Sequence, residues 1–269
     1  MRRERGKFIL FDLDEFGTWL NTADVSRVII TVQNHHTWLP AYRHFNPTNH
    51  FDLLQQMEHS HIERGFAEIA QNLNTFPDGT VAVCRSMDKI PAGIKGANYE
   101  AICIEHVGNF DHGGDVMAPV HRDAIVRLNA MLCRRFRIQP NANTLIYHHW
   151  WDLDSGRRTN GAGNTKSCPG TNFFGGNTVG HAETNFIPLV NQALGTVTTV
   201  QPIPVGTVLS TGRVDSDTLN VRVEPHAGGK LIKKLYKGVT VNAYEMSGIW
   251  HRIHPIEAHW VNSNYLIPA

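Results

Sequence analysis

Nowhere does this 269-residue chain approach the ~18 consecutive apolar residues of a membrane span. It also lacks the charge surplus on which phosphate binding draws. Its 25 Lys and Arg stand against 24 Asp and Glu, a formal net charge of +1, so neither nucleic acid nor a membrane is expected as a partner. Cysteine is scarce: Cys84, Cys103, Cys133 and Cys168 are scattered and form no CxxC pair. That excludes a disulfide scaffold in a chain this long, and three of the four are expected in the core. No secretion signal is expected either. MRRERGKFILFDLDEF opens like one, but its apolar stretch Phe8 to Phe11 is broken by Asp12 and has no small-residue cleavage site.

Histidine, by contrast, is plentiful at 16 residues, which favours metal chemistry without naming a ligand. The length exceeds the usual ~100 to 200 residues of one domain and predicts two. Val25 to Gln33 is a β-branched apolar run, read as a buried strand that opens into a loop at Asn34 to Thr37. Asn49 to Glu68 has helical spacing. Ala70 to Thr75, a Pro77-Asp78-Gly79 turn and Thr80 to Arg85 read as a hairpin. Ala101 to Val107 and Asn143 to His149 are further strands, and Asp123 to Phe136 an amphipathic helix. Residues 1–194 are therefore expected to form an α/β domain, a central mixed β-sheet flanked by helices. Asp154 to Gly176, rich in Gly, Asn, Ser and Thr, reads as a long functional loop. Residues 195–206 read as an extended linker, and 207–269, with short β-rich runs between turns, as a small all-β barrel.

Three segments gather metal-binding residue types at strand ends or in loops: HHT at 35–37, HHWW at 148–151 and KSCPG at 166–170. Two imidazoles and one thiolate, with a fourth position left to water, form an open catalytic zinc set. Spacing alone does not bring them together.

IITVQNHHTWLP, GFAEIAQNLNTFPDGTVAVCRS, IKGANYEAICIEHVGNFD and TKSCPGTNFF, in that order, resemble the successive motifs of the N-acetylmuramoyl-L-alanine amidase family, shared by phage lysozyme-type amidases and peptidoglycan recognition proteins. The resemblance spans roughly residues 25–175. It implies Zn2+ held at one end of the sheet and hydrolysis of the bond between N-acetylmuramic acid and L-alanine in peptidoglycan. Carried over residue by residue, it makes His35 the first ligand and Cys168 the last. The middle ligand is His149 when IYHH is aligned on the family's strand-Gly-His ending, with His148 as the alternative. Lys166 matches a lysine that stabilises an oxyanion, and Glu105 a general base. Where many phage-type members carry a tyrosine this chain has Gln71, to which, with Asn98, a substrate-binding role falls. Arg157 and Arg158, in the insert before Lys166, are candidates for stem-peptide carboxylates.

The C-terminal LNVRVEPHAGGKLIKKLYKGVTVNAYEMSGIWHRIHPIEAHWVNSNYL resembles a bacterial SH3 domain. That resemblance implies binding to the cell wall, with Trp250 and Tyr265 on the binding face and Trp260 in the core. The expected setting is synthesis in the cytoplasm and action on the wall after release by a holin, lysis or another route. Two other functions compete: a peptidoglycan-binding protein without catalysis, and a thiol hydrolase using Cys168.

Overall fold

The computed structural model describes residues 2–196, 208–247, 249–255 and 257–269. The chain divides into two compact units, Met1–Thr196 and Val197–Ala269. Of the linker read at 195–206, Gly195 and Thr196 complete the last helix of the first unit, and 197–206 lie outside the described residues.

The first unit is a seven-stranded mixed sheet between helices. In chain order its elements are β1 (Arg3–Arg5), β2 (Phe8–Phe11), α1 (Leu13–Thr22), β3 (Thr31–His36), α2 (His50–Glu63), β4 (Leu73–Thr75), β5 (Val81–Val83), β6 (Ala101–His106), α3 (Pro119–Phe136) and β7 (Leu145–Tyr147). A last helix runs from α4 (Val179–His181) through a π-helical turn, Ala182–Phe186, into α5 (Ile187–Thr196). The strand order is β1-β2-β5-β4-β6-β3-β7. β4, β6, β3 and β7 run parallel, and the other pairs are antiparallel.

Alternation along the strands sends two different sets of side chains to the two faces. On one face Phe8, Leu10, Ala82 and Cys84 pack under Leu53, Leu54 and Met57 of α2. On the other, Phe11, Val32, Leu73, Val81, Val83, Ile102 and Ile104 pack with Phe16 and Leu20 of α1, Ile125, Leu128 and Leu132 of α3, and Val190 of α5. Burying each large apolar side chain stabilises the fold by roughly 1.5–3 kcal/mol. α3 starts with Pro119 in its first turn, where a missing N–H costs nothing, and stops at Arg137 in the left-handed region (φ 54°).

The Phe8–Phe11 run, to which the sequence assigned no element, is strand β2, its residues pairing with β5. One sequence expectation changes here. The strand expected over Val25 to Gln33 is displaced to Thr31–His36. Ser26 and Arg27 give their backbone N–H groups to the Asp88 carboxylate (2.7 and 3.2 Å) rather than to a neighbouring strand. His35 and His36 therefore sit on the rigid sheet instead of in a loop.

The second unit is all-β. A five-stranded sheet has the order β10-β9-β14-β13-β12 and a three-stranded one β11-β8-β15. These strands are β8 (Ser210–Val214), β9 (Thr218–Arg222), β10 (Leu231–Tyr236), β11 (Thr240–Ala243), β12 (Glu245–Ser247), β13 (Trp250–Arg252), β14 (Trp260–Asn262) and β15 (Leu266–Pro268). Its small core is Val214, Leu219, Val221 and Val261. Trp260 is buried, Trp250 half-buried and Tyr265 51% exposed. No helix among the described residues is long and apolar enough to cross a membrane.

Candidate metal centre and groove

The parallel strands deliver the site. His35 is the register partner of Glu105 across the β3–β6 ladder, so both side chains leave the same face at the C-terminal ends of their strands. Chain leaving β7 enters a single 3-10 turn, His148–Trp150, which directs His148 to the same place. Cys168 arrives on a loop held from several sides. Asp111 accepts from Ser167 Oγ (3.0 Å) and Thr171 N (2.9 Å), His149 N donates to Cys168 O (2.7 Å), and Asn177 Nδ2 donates to Ser167 O (2.8 Å).

The result is a buried trio, His35, His148 and Cys168, with donor atoms all within 4.8 Å of one another. His35 Nδ1 lies 3.3 Å from His148 Nδ1 and 3.4 Å from Cys168 Sγ. Zinc–nitrogen and zinc–sulfur bonds of ~2.0–2.1 and ~2.3 Å in a tetrahedron require ligand edges of roughly 3.3 and 3.5 Å, so these residues fit that ion. Burial lowers the pKa of both imidazoles, His35 well below its ordinary value and His148 to about 4, with Lys166 adding to the effect in each. Both are thus neutral near pH 7, the ligand form. Burial pushes the Cys168 thiol up, and the His36 backbone N–H and Lys166 oppose it.

The structure brings His148, and not the expected His149, together with His35 and Cys168. The His149 ring points the other way, with Nδ1 bonded to Lys166 O (2.8 Å) and Nε2 against Gly161, where an added Cβ would sit 2.6 Å from it. Sequence alignment on two adjacent histidines could not resolve this, because the 3-10 turn after β7 decides which ring faces inward.

The trio lies in a groove of about 810 Å³ lined also by Trp38, Leu39, Pro40, Glu105 and Lys166. Burial raises the Glu105 carboxyl to about 8, partly opposed by Lys166 and Arg64. Its Oε2 is buried with no hydrogen-bond partner among the described residues, and Oε1 is 4.0 Å from His35 Nδ1. Lys166 is exposed and places its side chain at the rim.

Other candidates stand elsewhere. Gln71 is fully enclosed, donating from Nε2 to Asn74 Oδ1 (3.2 Å), and does not line the groove. Asn98 lies behind the sheet end, its Oδ1 taken up by Gly93 N and Ile94 N (3.0 and 2.8 Å). Arg158 bonds Asn143 Oδ1, Ala142 O and Asn160 Oδ1 and stacks on Trp150 and Trp151, so it fastens the insert to the domain. Arg157 is exposed and outside the groove lining. The sequence reading missed the wall formed by α2 and the turn after it, where Gln56, Ser60, His61 and Arg64 line the groove. Its signal was available: positions 56, 60 and 64 share a helical stripe beside the buried Met57.

A family model described as N-acetylmuramoyl-L-alanine amidase (Amidase_2) matches residues 25–171, more than half of the chain and all three donors. The chain belongs to this amidase family. Among solved structures, the N-acetylmuramoyl-L-alanine amidase LysC from Clostridium intestinale URNW is 22% identical, over 54% of this chain and 78% of that chain, with a TM-score of 0.39. Drosophila PGRP-LB is 20% identical, over 58% of this chain and 86% of its own, with a TM-score of 0.44. No curated protein matches the chain.

Proposed function

We propose that this amidase-family protein is a zinc-dependent hydrolase of the amide bond between N-acetylmuramic acid and L-alanine in peptidoglycan. The observation that carries the reading is the buried convergence of His35, His148 and Cys168 at the floor of a groove that also presents Glu105 and Lys166. A zinc ion held by these three donors supplies Lewis acidity toward the scissile carbonyl and lowers the pKa of water.

The chain's own groups then divide the proton and charge work. Glu105, which lines the groove with an Oε2 that has no hydrogen-bond partner among the described residues, takes the proton of the attacking water in its ionised form and returns it to the L-alanine nitrogen as that group leaves. Lys166 Nζ, free to swing from the rim, stabilises the negative charge that develops on the carbonyl oxygen. The open groove admits an extended polymer.

Family membership and the intact donor set favour catalysis over recognition alone. Burial of Cys168 to 7% exposure, in a loop rather than at a helix N-terminus, favours metal ligation over a nucleophilic thiol. The C-terminal unit is read as an SH3-like wall-binding module, supported by its two small sheets and the exposed ring of Tyr265. In this reading the protein acts on the cell wall after release from the cytoplasm.

The test is incubation with purified peptidoglycan, with and without a zinc chelator, followed by mass spectrometry of new ends. Chelator-sensitive release of peptides with free N-terminal L-alanine is expected. Binding without new ends would replace the reading with a recognition protein, and cuts inside the peptide with a thiol hydrolase.

A further inference from the structure

Behind His35 runs a hydrogen-bonded chain to which the hydrolytic reading gives no role. The ring turns Nδ1 toward His148 and Cys168, and Nε2 toward Gln33 Oε1 at 3.4 Å. Gln33 is fully buried and lies two residues before His35, hence on the same face of β3. Its amide is not free to turn over. Nε2 donates to Ala97 O (2.9 Å) and Asn98 Oδ1 (3.2 Å), two acceptors that would repel the amide oxygen. Asn98 Oδ1 is itself held by the N–H groups of Gly93 and Ile94. The space is closed from above, because a Cβ added at Gly93 would fall 2.2 Å from Gln33 Oε1 and 3.1 Å from His35 Nε2.

We infer that Gln33, itself fixed by Asn98, is a positioning residue that holds His35 as the Nε2–H tautomer and reserves its Nδ1 lone pair for a divalent metal. This rests on the metal-dependent reading above. A neutral imidazole carries one proton, and the nitrogen facing a fixed oxygen acceptor keeps it. The other nitrogen then presents a lone pair in every molecule. Without the acceptor, both tautomers and a range of ring angles become populated, and only part of the population can bind the ion. Partners of this kind change metal affinity by about 10–100-fold when removed.

The experiment uses the full chain stripped of metal and two readouts: zinc affinity by competition with a chromogenic chelator, and the His35 tautomer by 15N NMR of the imidazole. Gln33→Met keeps the side-chain length and removes the acceptor. It should weaken zinc binding about 10–100-fold and convert a single Nε2–H signal set into a tautomer mixture. A second pair covers the case in which Gln33→Met does not fold. Asn98→Ala frees the Gln33 amide and should weaken zinc binding, whereas Asn98→Asp keeps an oxygen for all three donors and should restore it. Wild-type affinity and an unchanged tautomer in Gln33→Met, or in Asn98→Ala if that is the variant measured, overturn the inference while leaving the metal site intact. Failure of the wild-type chain to bind zinc at all removes the metal-dependent reading and this inference together.

Discussion

Replacing each of the two adjacent histidines by alanine should give opposite results, and the structure sets both magnitudes. His148 contributes one of three protein donors, its Nδ1 3.3 Å from that of His35. Protein zinc sites with a full ligand set reach apparent binding energies of ~10–16 kcal/mol, or roughly 3–4 kcal/mol per ligand. At about 1.4 kcal/mol per tenfold, His148→Ala should weaken zinc binding on the order of 10²–10³-fold. His149→Ala removes the ring contacts with Lys166 O (2.8 Å) and Thr165 Oγ1 (3.2 Å), each worth about 0.5–1.5 kcal/mol of stability. The backbone clamp from His149 N to Cys168 O survives that substitution, so the cysteine loop keeps its place. Zinc affinity should therefore stay within a few-fold of wild type. Chelator competition on the metal-free proteins measures both, and the thiolate charge-transfer band of the cobalt-substituted protein reports whether Cys168 still ligates. Loss of zinc in His149→Ala with retention in His148→Ala would refute the assignment of the middle donor.

Glu105→Gln should lower the release of free L-alanine termini by about 10²–10⁴-fold while zinc stoichiometry, read by elemental analysis, stays unchanged. Gly93→Ala drives a Cβ against Gln33 Oε1 and Cys103 Sγ and should weaken zinc binding in the same competition assay without touching a donor atom. Gly170→Ala places a side chain at φ +120° with its Cβ 2.4 Å from Phe110 O, so the loop after Cys168 must shift; a cost of about 1–3 kcal/mol in urea unfolding is expected. His121 gives an acid-sensitivity prediction. Burial lowers its pKa from 6.5 to about 3, so between those values the unfolded chain binds a proton that the folded chain refuses. Stability should be fully present above pH 6.5 and fall as pH drops toward 3, by about 1.4 kcal/mol per pH unit from this group. Urea titrations at successive pH values, compared with those of His121→Asn, isolate the contribution.

The strands that carry long β-branched or apolar runs were legible in the sequence, and so was the helix now labelled α3, because each has one period and one burial pattern. β3 was misplaced for a physical reason. Its residues Val32, Gln33, Asn34, His35 and His36 are all buried, so alternation carries no signal, and the polar ones look like loop. They are tolerated because each meets a partner: Asn34 bonds Asn129 and His106, Gln33 bonds Ala97 and Asn98, and His36 Nδ1 accepts from Phe110 N. Those partners lie far away in sequence. His35, Glu105, Lys166 and Cys168, which the structure gathers in one groove, were singled out by the family resemblance, not by spacing. Gln71 and Asn98 do not line the groove, and sequence could not show this because a polar residue near such a motif reads the same whether it faces the groove or props the strand behind it.

Both faces of β3 thus carry buried polar residues, and the two faces do different things. One face sends Asn34 into a buried ladder in which Asn129 of α3, His106, Thr75, His121 and Tyr42 are linked by bonds of 2.7–3.1 Å. The donors in this ladder can be ordered consistently from the Tyr42 hydroxyl to Asn34 with every imidazole neutral, so burial costs no charge. This face pins the strand to the helix layer. The opposite face carries Gln33 and His35, over the part of the sheet that the apolar stripe of α2 leaves uncovered: α2 packs on β2 and β5, one side of the sheet from β6 and β3. The groove opens beside the region that α2 covers, and it presents His35, Glu105 and Lys166 next to the apolar Trp38, Leu39 and Pro40. The strand that forms its floor is held from behind by hydrogen bonds with fixed direction as well as by the apolar packing of Val32. The placement of His35 against His148 and Cys168, at 3.3 and 3.4 Å, therefore depends on the same residues that made β3 unreadable as a strand.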